Sequence, residues 1–395
     1  MNAPQAAIDC DRAVAHLLDL LAVEGTSGRE GAVAAVVRDK LLAAGCAASW
    51  IRHDGAHRRL GAGWEVGNLI VKVPGSRGRT REPRLLFMGH LDTVPLCRGA
   101  VPVRRGDRIE SQGDTALGGD NRTSIGALVT LLETVVGGDL AHPPLTVLMT
   151  VGEEVGLRGS REVRVEELGN PPMGFNVDAG DPREITIGAI GADRWEIEVS
   201  GRSAHAGVHP EDGVSATLIA ARAIERVAAE GWFGKVEKGK KRGTSNVGSI
   251  VGGEASNQVT DRVVVRGESR SHDPRFLERI TGAYRKAFER GAKSVRNASG
   301  VCGRIEMRSE RAYDAFRLPL TSPPVGRARQ AIRALGLEPS LRIANGGLDA
   351  NNLSDKGVPT VTLGAGQHRP HTVDEYVEIG EYLGGAQLLV TLATT

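Results

Sequence analysis

The sequence predicts an α/β fold with a mostly parallel sheet, interrupted by an inserted segment of α+β, sandwich-like character. Three observations lead there. Short apolar runs of strand length alternate with stretches whose apolar residues recur at helical spacing. Near Ile187 that pattern gives way to every-other-residue apolarity, and it returns after about Arg311. At 395 residues the chain also exceeds what one hydrophobic core usually holds, so two domains are expected. Residues 1–187 and 312–395 form one discontinuous domain in this reading, and 188–311 the insertion.

The elements follow in order. Val14, Leu17, Leu18 and Leu21 keep i, i+3, i+4, i+7 spacing, and Val33, Val36, Val37 and Leu41 nearly repeat it. Two helices are therefore expected, stopped by Gly25 and Gly45. Apolar runs at 68–73 and 84–88 predict strands. Ile125, Leu128, Val129 and Leu132 mark another helical face, and 145–151 and 174–177 are further strands. Strands alternating with helices imply the parallel sheet. In the insertion, Trp195, Ile197 and Val199 share one side, as in an antiparallel strand with one wet face. Residues 214–229 and 276–292 read as helices and 263–266 as a strand. Beyond it, 326–335 reads as a helix and 358–363 as a strand. The basic stretch Lys235-Val-Glu-Lys-Gly-Lys-Lys-Arg242 reads as a solvated loop, not a nucleic-acid site.

Composition narrows the function. Hydrophobic residues at 40% and charged residues at 25% describe an ordinary globular protein. A net charge of +2 gives no long-range field to recruit nucleic acid or a membrane surface. Aromatics at 4% supply no base-stacking platform. Cys10, Cys46, Cys97 and Cys302 form no CxxC pair, so a zinc-thiolate knot is not expected and the thiols read as reduced. The N-terminus lacks a signal-peptide pattern, and no apolar run approaches the ~20 residues needed to span a bilayer. A cytoplasmic protein is expected.

The chemistry gathers where the apolar strands end. His90 and Asp92 follow the run at 84–88, Glu153 and Glu154 follow 145–151, Asp178 follows 174–177, and His371 follows 358–363. Ligands of open α/β sheets bind outside the carboxyl ends of the strands. Asp120 joins this edge at the mouth of the helix holding Ile125 and Leu128. Singly, each has an ordinary reading: a solvated imidazole, a helix cap, a surface pair, a turn. Together they do not, because several carboxylates buried side by side require a compensating cation.

At this point the motifs become recognisable. Gly89-His-Leu-Asp-Thr-Val-Pro95, Gly118-Gly-Asp-Asn-Arg122, Gly152-Glu-Glu-Val-Gly156 and Asn176-Val-Asp-Ala-Gly180 resemble the M20 metallopeptidase family. Gly346-Gly-Leu-Asp-Ala-Asn-Asn-Leu353 and Pro370-His-Thr-Val-Asp-Glu-Tyr-Val377 are most similar to its peptidase T branch. The resemblance implies a zinc-peptidase catalytic domain with an inserted lid and dimerisation domain, and hence a homodimer. It implies that Asp120 bridges two metals, with His90 and Asp178 completing one shell and Glu154 and His371 the other. Asp92 would hold the His90 imidazole in its ligating tautomer, and Glu153 would be the general base. A cis peptide bond between Asp120 and Asn121 is also implied.

Two dications against three carboxylates (Asp120, Glu154 and Asp178) leave one positive charge to favour a bridging hydroxide. Metal binding can bring the pKa of water to ~7. Imidazole and carboxylate without thiolate suit Zn²⁺, with Co²⁺ or Mn²⁺ able to occupy similar sites. The expected reaction is hydrolysis of short peptides from the amino end. The alternative is a carboxypeptidase or N-acyl-amino-acid amidohydrolase of the same family.

In the insertion, Ser203-Ala-His-Ala-Gly207 resembles the family segment whose His reaches the partner subunit's active site. His205 is thereby assigned to the oxyanion, and Asn257 and Arg270 to substrate; the planar donors of Arg270 suit a carboxylate. Both His368 and His371 could reach a metal; the resemblance favours His371, whose spacing to Glu375-Tyr-Val377 follows the family pattern, and leaves His368 to substrate. Other signals fail. The glycines of Gly61-Ala-Gly-Trp-Glu-Val-Gly67 are wrongly spaced for a dinucleotide loop, and HExxH, GxSxG and GxxxxGK[ST] are absent.

Overall fold

The computed structural model describes residues 7–395. The chain divides into two compact units, Met1–Ala189 with Arg317–Thr395, and Ile190–Phe316.

In the first unit the strands are built from continuous apolar runs because helices cover both sheet faces. All six residues of Leu85–His90 are buried, as are all six of Leu145–Thr150. Among the described residues a nine-stranded sheet forms, with Leu145–Thr150, Leu85–His90, Gly174–Val177 and Thr360–Leu363 side by side and parallel at its centre. Antiparallel pairs border that core, Leu69–Val73 with Leu145–Thr150 and Thr360–Leu363 with Glu184–Ala189, while Ser340–Ala344 runs parallel to Glu184–Ala189. The sheet is mixed, with the parallel core the apolar runs predicted. Four neighbouring parallel strands end at one edge, which is what places their following residues together.

The helix Gly119–Leu132 is buried along almost its whole length. It packs against Cys10–Leu21 and Ile379–Thr394. The fit is close: a Cβ on Gly126 would meet the Tyr382 hydroxyl at 2.7 Å, and that hydroxyl donates to the Ala13 carbonyl at 2.9 Å. Cys10–Leu21 starts at Asp9, whose carboxylate accepts the Arg12 amide at 3.0 Å, a standard N-cap. A small separate sheet pairs Pro102–Arg105, Arg108–Ser111, Tyr376–Glu378 and Gln367–His368; its strands are too short to show in the periodicity.

The second unit is one antiparallel sheet under two helices, Ala216–Ala229 and Pro274–Ser294. Its strand order is Gly234–Lys238, Lys241–Gly252, Arg262–Ser271, Gly191–Ser200, Arg304–Tyr313. Trp195, Ile197 and Val199 face a core with Ile219, Phe276, Tyr284 and Phe288, so the predicted alternation is the inward face. The longer helix begins at Asp273, which accepts the Arg275 and Phe276 amides at 2.9 and 3.1 Å, with Pro274 at the first position. The basic stretch 235–242, expected as a loop, is a β-hairpin pairing Lys238 with Lys241. Only Val236 of that hairpin is buried, so its charged side chains hid the strand pattern. All four cysteines are free thiols. Among the described residues no helix is long and apolar enough to cross a membrane.

Candidate metal centre

The parallel strands deliver their following residues to one place in the first unit. His90 is the last residue of Leu85–His90, Asp178 directly follows Gly174–Val177, and Glu153 and Glu154 lie just past Leu145–Thr150. Asp120 is the second residue of Gly119–Leu132, and its peptide bond to Asn121 is cis. His371 reaches in from the loop after Gln367–His368, with a left-handed backbone at φ 64°. That conformation costs a non-glycine residue about 1–3 kcal/mol and turns the imidazole toward Glu154.

Asp120 sits in the middle. Its Oδ1 lies 3.0 Å from His90 Nε2 and its Oδ2 3.7 Å from His371 Nε2. His90 Nε2 is 3.9 Å from Asp178 Oδ1, and His371 Nε2 is 2.9 Å from Glu154 Oε2. Ligating atoms of His90, Asp120 and Glu154 all fall within 4.8 Å of one another. The five residues that the motifs singled out as ligands are thus brought together, with one carboxylate facing both imidazoles.

The electrostatics call for cations. Burial holds the Asp178 carboxyl well above the usual carboxylate range, and the Asp120 charge adds to it. Burial does the same to Glu153, against the opposing pull of His90 and with the Asp178 and Asp349 charges adding, and pushes Glu154 up as well. Burial disfavours the charge on His90, yet hydrogen bonds to Asp120 and Asp92 raise it overall. The Glu154 hydrogen bond carries His371 to about 9. Among the described residues no Lys or Arg pairs with Asp120, Glu154 or Asp178. Clustered, half-desolvated acids and imidazoles without a basic partner are a donor set that fits divalent cations of the zinc type.

Supporting residues fix these groups. Asp92 is fully buried. Its carboxylate accepts the Glu153 amide at 3.0 Å, the Glu154 amide at 3.2 Å and the Ser27 hydroxyl at 2.6 Å. His90 Nδ1 lies 3.0 Å from the Asp92 carbonyl and 3.4 Å from its carboxylate, so backbone and side chain of Asp92 both face the ring. Two residues without a role in the sequence reading also belong here. Glu375, 2% exposed, accepts the amides of Gly118 at 2.8 Å and Asp120 at 2.9 Å, and burial lifts its carboxyl to about 7. Gln367 donates to Asp178 Oδ1 at 3.2 Å. Glu375 stood within the quoted motif, four residues after His371; for Gln367 no sequence signal existed.

His368 is held elsewhere. Its Nε2 lies 2.6 Å from Glu381 Oε2 and its ring stacks on Tyr376 at 5.0 Å, whereas His371 faces Glu154. In the second unit, His205 Nδ1 accepts the Gly207 amide at 3.1 Å, and the Asn257 carbonyl accepts the Ala206 amide at 2.9 Å. Those two share one loop cluster. Arg270 lies on the strand Arg262–Ser271 and gives its fork to Glu268, at 2.8 and 3.0 Å, so a substrate carboxylate would have to compete with that acid.

Close packing continues beneath the site. A Cβ on Gly89 would lie 1.7 Å from Ser124 Oγ, where strand and buried helix touch. Gly89→Ala is expected to destabilise the protein by about 2–3 kcal/mol, read as a shift in the urea unfolding midpoint.

The chain as a whole has known relatives. The family model described as peptidase family M20/M25/M40 matches residues 86–395. The uncharacterized protein YqjE of Bacillus subtilis (strain 168) is 28% identical over 382 residues, 96% of this chain and 97% of that protein. A tripeptidase from Staphylococcus aureus subsp. aureus Mu50 superposes with a TM-score of 0.84 at 28% identity, covering 98% of both chains. The aminopeptidase PepT from Bacillus cereus ATCC 10987 gives 0.81 at 29% identity, again over 98% of both. The chain belongs to peptidase family M20/M25/M40 and is a metal-dependent hydrolase.

Proposed function

We propose that this chain is a peptidase T-like aminopeptidase of short peptides, holding two divalent cations, Zn²⁺ by donor chemistry. The observation that carries the reading is Asp120, with one oxygen toward His90 and the other toward His371. His90 and Asp178 would hold one cation, Glu154 and His371 the other, and Asp120 both. Bound there, the cations would supply Lewis acidity to the scissile carbonyl and to the charge that develops on it.

The chain's own groups supply the proton handling. Glu153 takes a proton from the attacking water as its oxygen bonds the carbonyl carbon. It returns that proton to the amine nitrogen as the C–N bond breaks. Asp92 keeps Glu153 aimed by holding its amide. His205, Asn257 and Arg270 are assigned to substrate on the family resemblance, as are the homodimer and the lid role of the second unit.

Blocked tripeptides test the reading. An aminopeptidase cleaves the free and the C-amidated peptide at comparable rates and loses about 100-fold or more in kcat/KM on N-acetylation, because the desolvated amine-binding groups lose their partner. Undiminished cleavage of the N-acetylated peptide, followed by chromatography, would assign the chain instead to the carboxypeptidase or N-acyl-amino-acid amidohydrolase branch.

A further inference from the structure

The segment that carries Glu153 is held in an unusual way. After Leu145–Thr150 the chain turns through Val151, Gly152, Glu153 and Glu154, and none of these four amides has a backbone acceptor among the described residues. Each donates to a side chain instead. Val151 N gives to Asn68 Oδ1 at 3.1 Å and Gly152 N to Glu30 Oε1 at 3.0 Å. Glu153 N and Glu154 N give to the two oxygens of Asp92. Four successive amides are thus fixed by residues from three distant segments.

Glu30 is the costly member. It is 0% exposed, its Oε1 also accepts the Gly28 amide at 2.9 Å, and its Oε2 has no hydrogen-bond partner. Leaving a buried carboxyl oxygen unsatisfied carries a penalty, which a turn needing only closure would not incur. The turn has no slack to use. Gly152 is left-handed at φ 62°, and a Cβ there would meet the Trp64 ring at 2.2 Å. The backbone at Gly152 therefore has one position, set by Trp64 on one side and Glu30 on the other.

We propose that Glu30 is a positioning residue for the hydrolysis: by holding the Gly152 amide it fixes the backbone from which the Glu153 carboxyl projects. The proposal rests on the reading of Glu153 as the general base. Misplacement of a reacting group by about 1 Å can cost 100-fold in rate, so the effect falls on kcat and not on affinity.

The test uses the full metal-loaded chain with trialanine as probe substrate and kcat normalised to bound metal. Glu30→Ala is expected to lower kcat about 10- to 100-fold with KM within about threefold. Glu30→Gln, which keeps a carbonyl acceptor, is expected to recover most of that loss, to within about fivefold of the unsubstituted protein. A folded Glu30→Ala protein with unchanged kcat overturns the proposal, and so does a Glu30→Gln protein as slow as Glu30→Ala. Should Glu30→Ala not fold, amide exchange of the unsubstituted chain decides. Protection of Gly152 N about 100-fold beyond an open loop supports the clamp, and free exchange removes it. Glu153→Ala run alongside separates the two readings: if it keeps its turnover the base assignment fails and the positioning role of Glu30 falls with it, whereas loss of turnover in Glu153→Ala beside an unchanged kcat in Glu30→Ala overturns the Glu30 proposal alone.

Discussion

Glu153→Ala is expected to lower kcat on a tripeptide by about 10²- to 10⁴-fold while the protein keeps its full complement of divalent cations. The two halves of that expectation have different causes. None of the short contacts among His90, Asp120, Glu154, Asp178 and His371 involves the Glu153 carboxyl, so truncating it leaves the cluster whole. The proton it would shuttle, however, has no uncommitted carboxyl to take over among its acidic neighbours: Asp120, Glu154 and Asp178 belong to the cluster, Asp92 holds two backbone amides and Asp349 accepts the Thr150 hydroxyl. In the metal-free chain burial disfavours the ionised Glu153 carboxylate, so there its removal should not lower the melting temperature. Kinetics, elemental analysis of the purified protein and a thermal melt check the three statements separately. Unchanged turnover with metal retained would take Glu153 out of the mechanism.

Stripping the cations with a chelator is expected to abolish hydrolysis, with recovery on adding Zn²⁺, Co²⁺ or Mn²⁺, and to lower the melting temperature. A ligand held at a hundredfold excess over its dissociation constant stabilises by about 2.7 kcal/mol, and that is the scale of the loss. The metal-free protein should also acquire a pH dependence of definite sign. Burial lifts the carboxyls of Glu30 and Glu375 from 4.5 to about 7. The folded chain keeps those protons where the unfolded chain has released them. Their contribution is complete below pH 4.5 and disappears as pH rises through 7. His371, raised from 6.5 to about 9 by its hydrogen bond to Glu154, acts in the same direction, complete below 6.5 and lost through 9. Melting of the chelated protein should therefore fall between pH 6 and 8.5. The metal-loaded protein should fall less steeply, since cations take the place of protons in the cluster. A melting temperature that climbs over this interval in the chelated sample would contradict the assignment of the site.

The ligand candidates were legible because of where strands end. His90, Asp178 and Glu154 each follow an apolar run within a few residues, and in a parallel sheet those ends share an edge. Two further helpers were invisible for the opposite reason. Glu30 meets Gly152 across 122 residues and Gln367 meets Asp178 across 189, and nothing local marks a surface-type residue as buried. The stretch 235–242 reads as a loop because lysines and arginine dominate it and Val236 alone is buried there, although it forms the turn of a hairpin. Motif spacing favours His371 over His368, and in the structure His371 faces Glu154 while His368 pairs with Glu381.

The helix Gly119–Leu132 touches protein on every side, and this sets how the molecule can drift over evolutionary time. Neutral substitution normally accumulates on a helix's wet face, but here there is none, so change between positions 121 and 132 must be matched by change in a neighbour. Asp120 is thereby carried on the least malleable part of the polypeptide, while the charged hairpin of the second unit is free to vary.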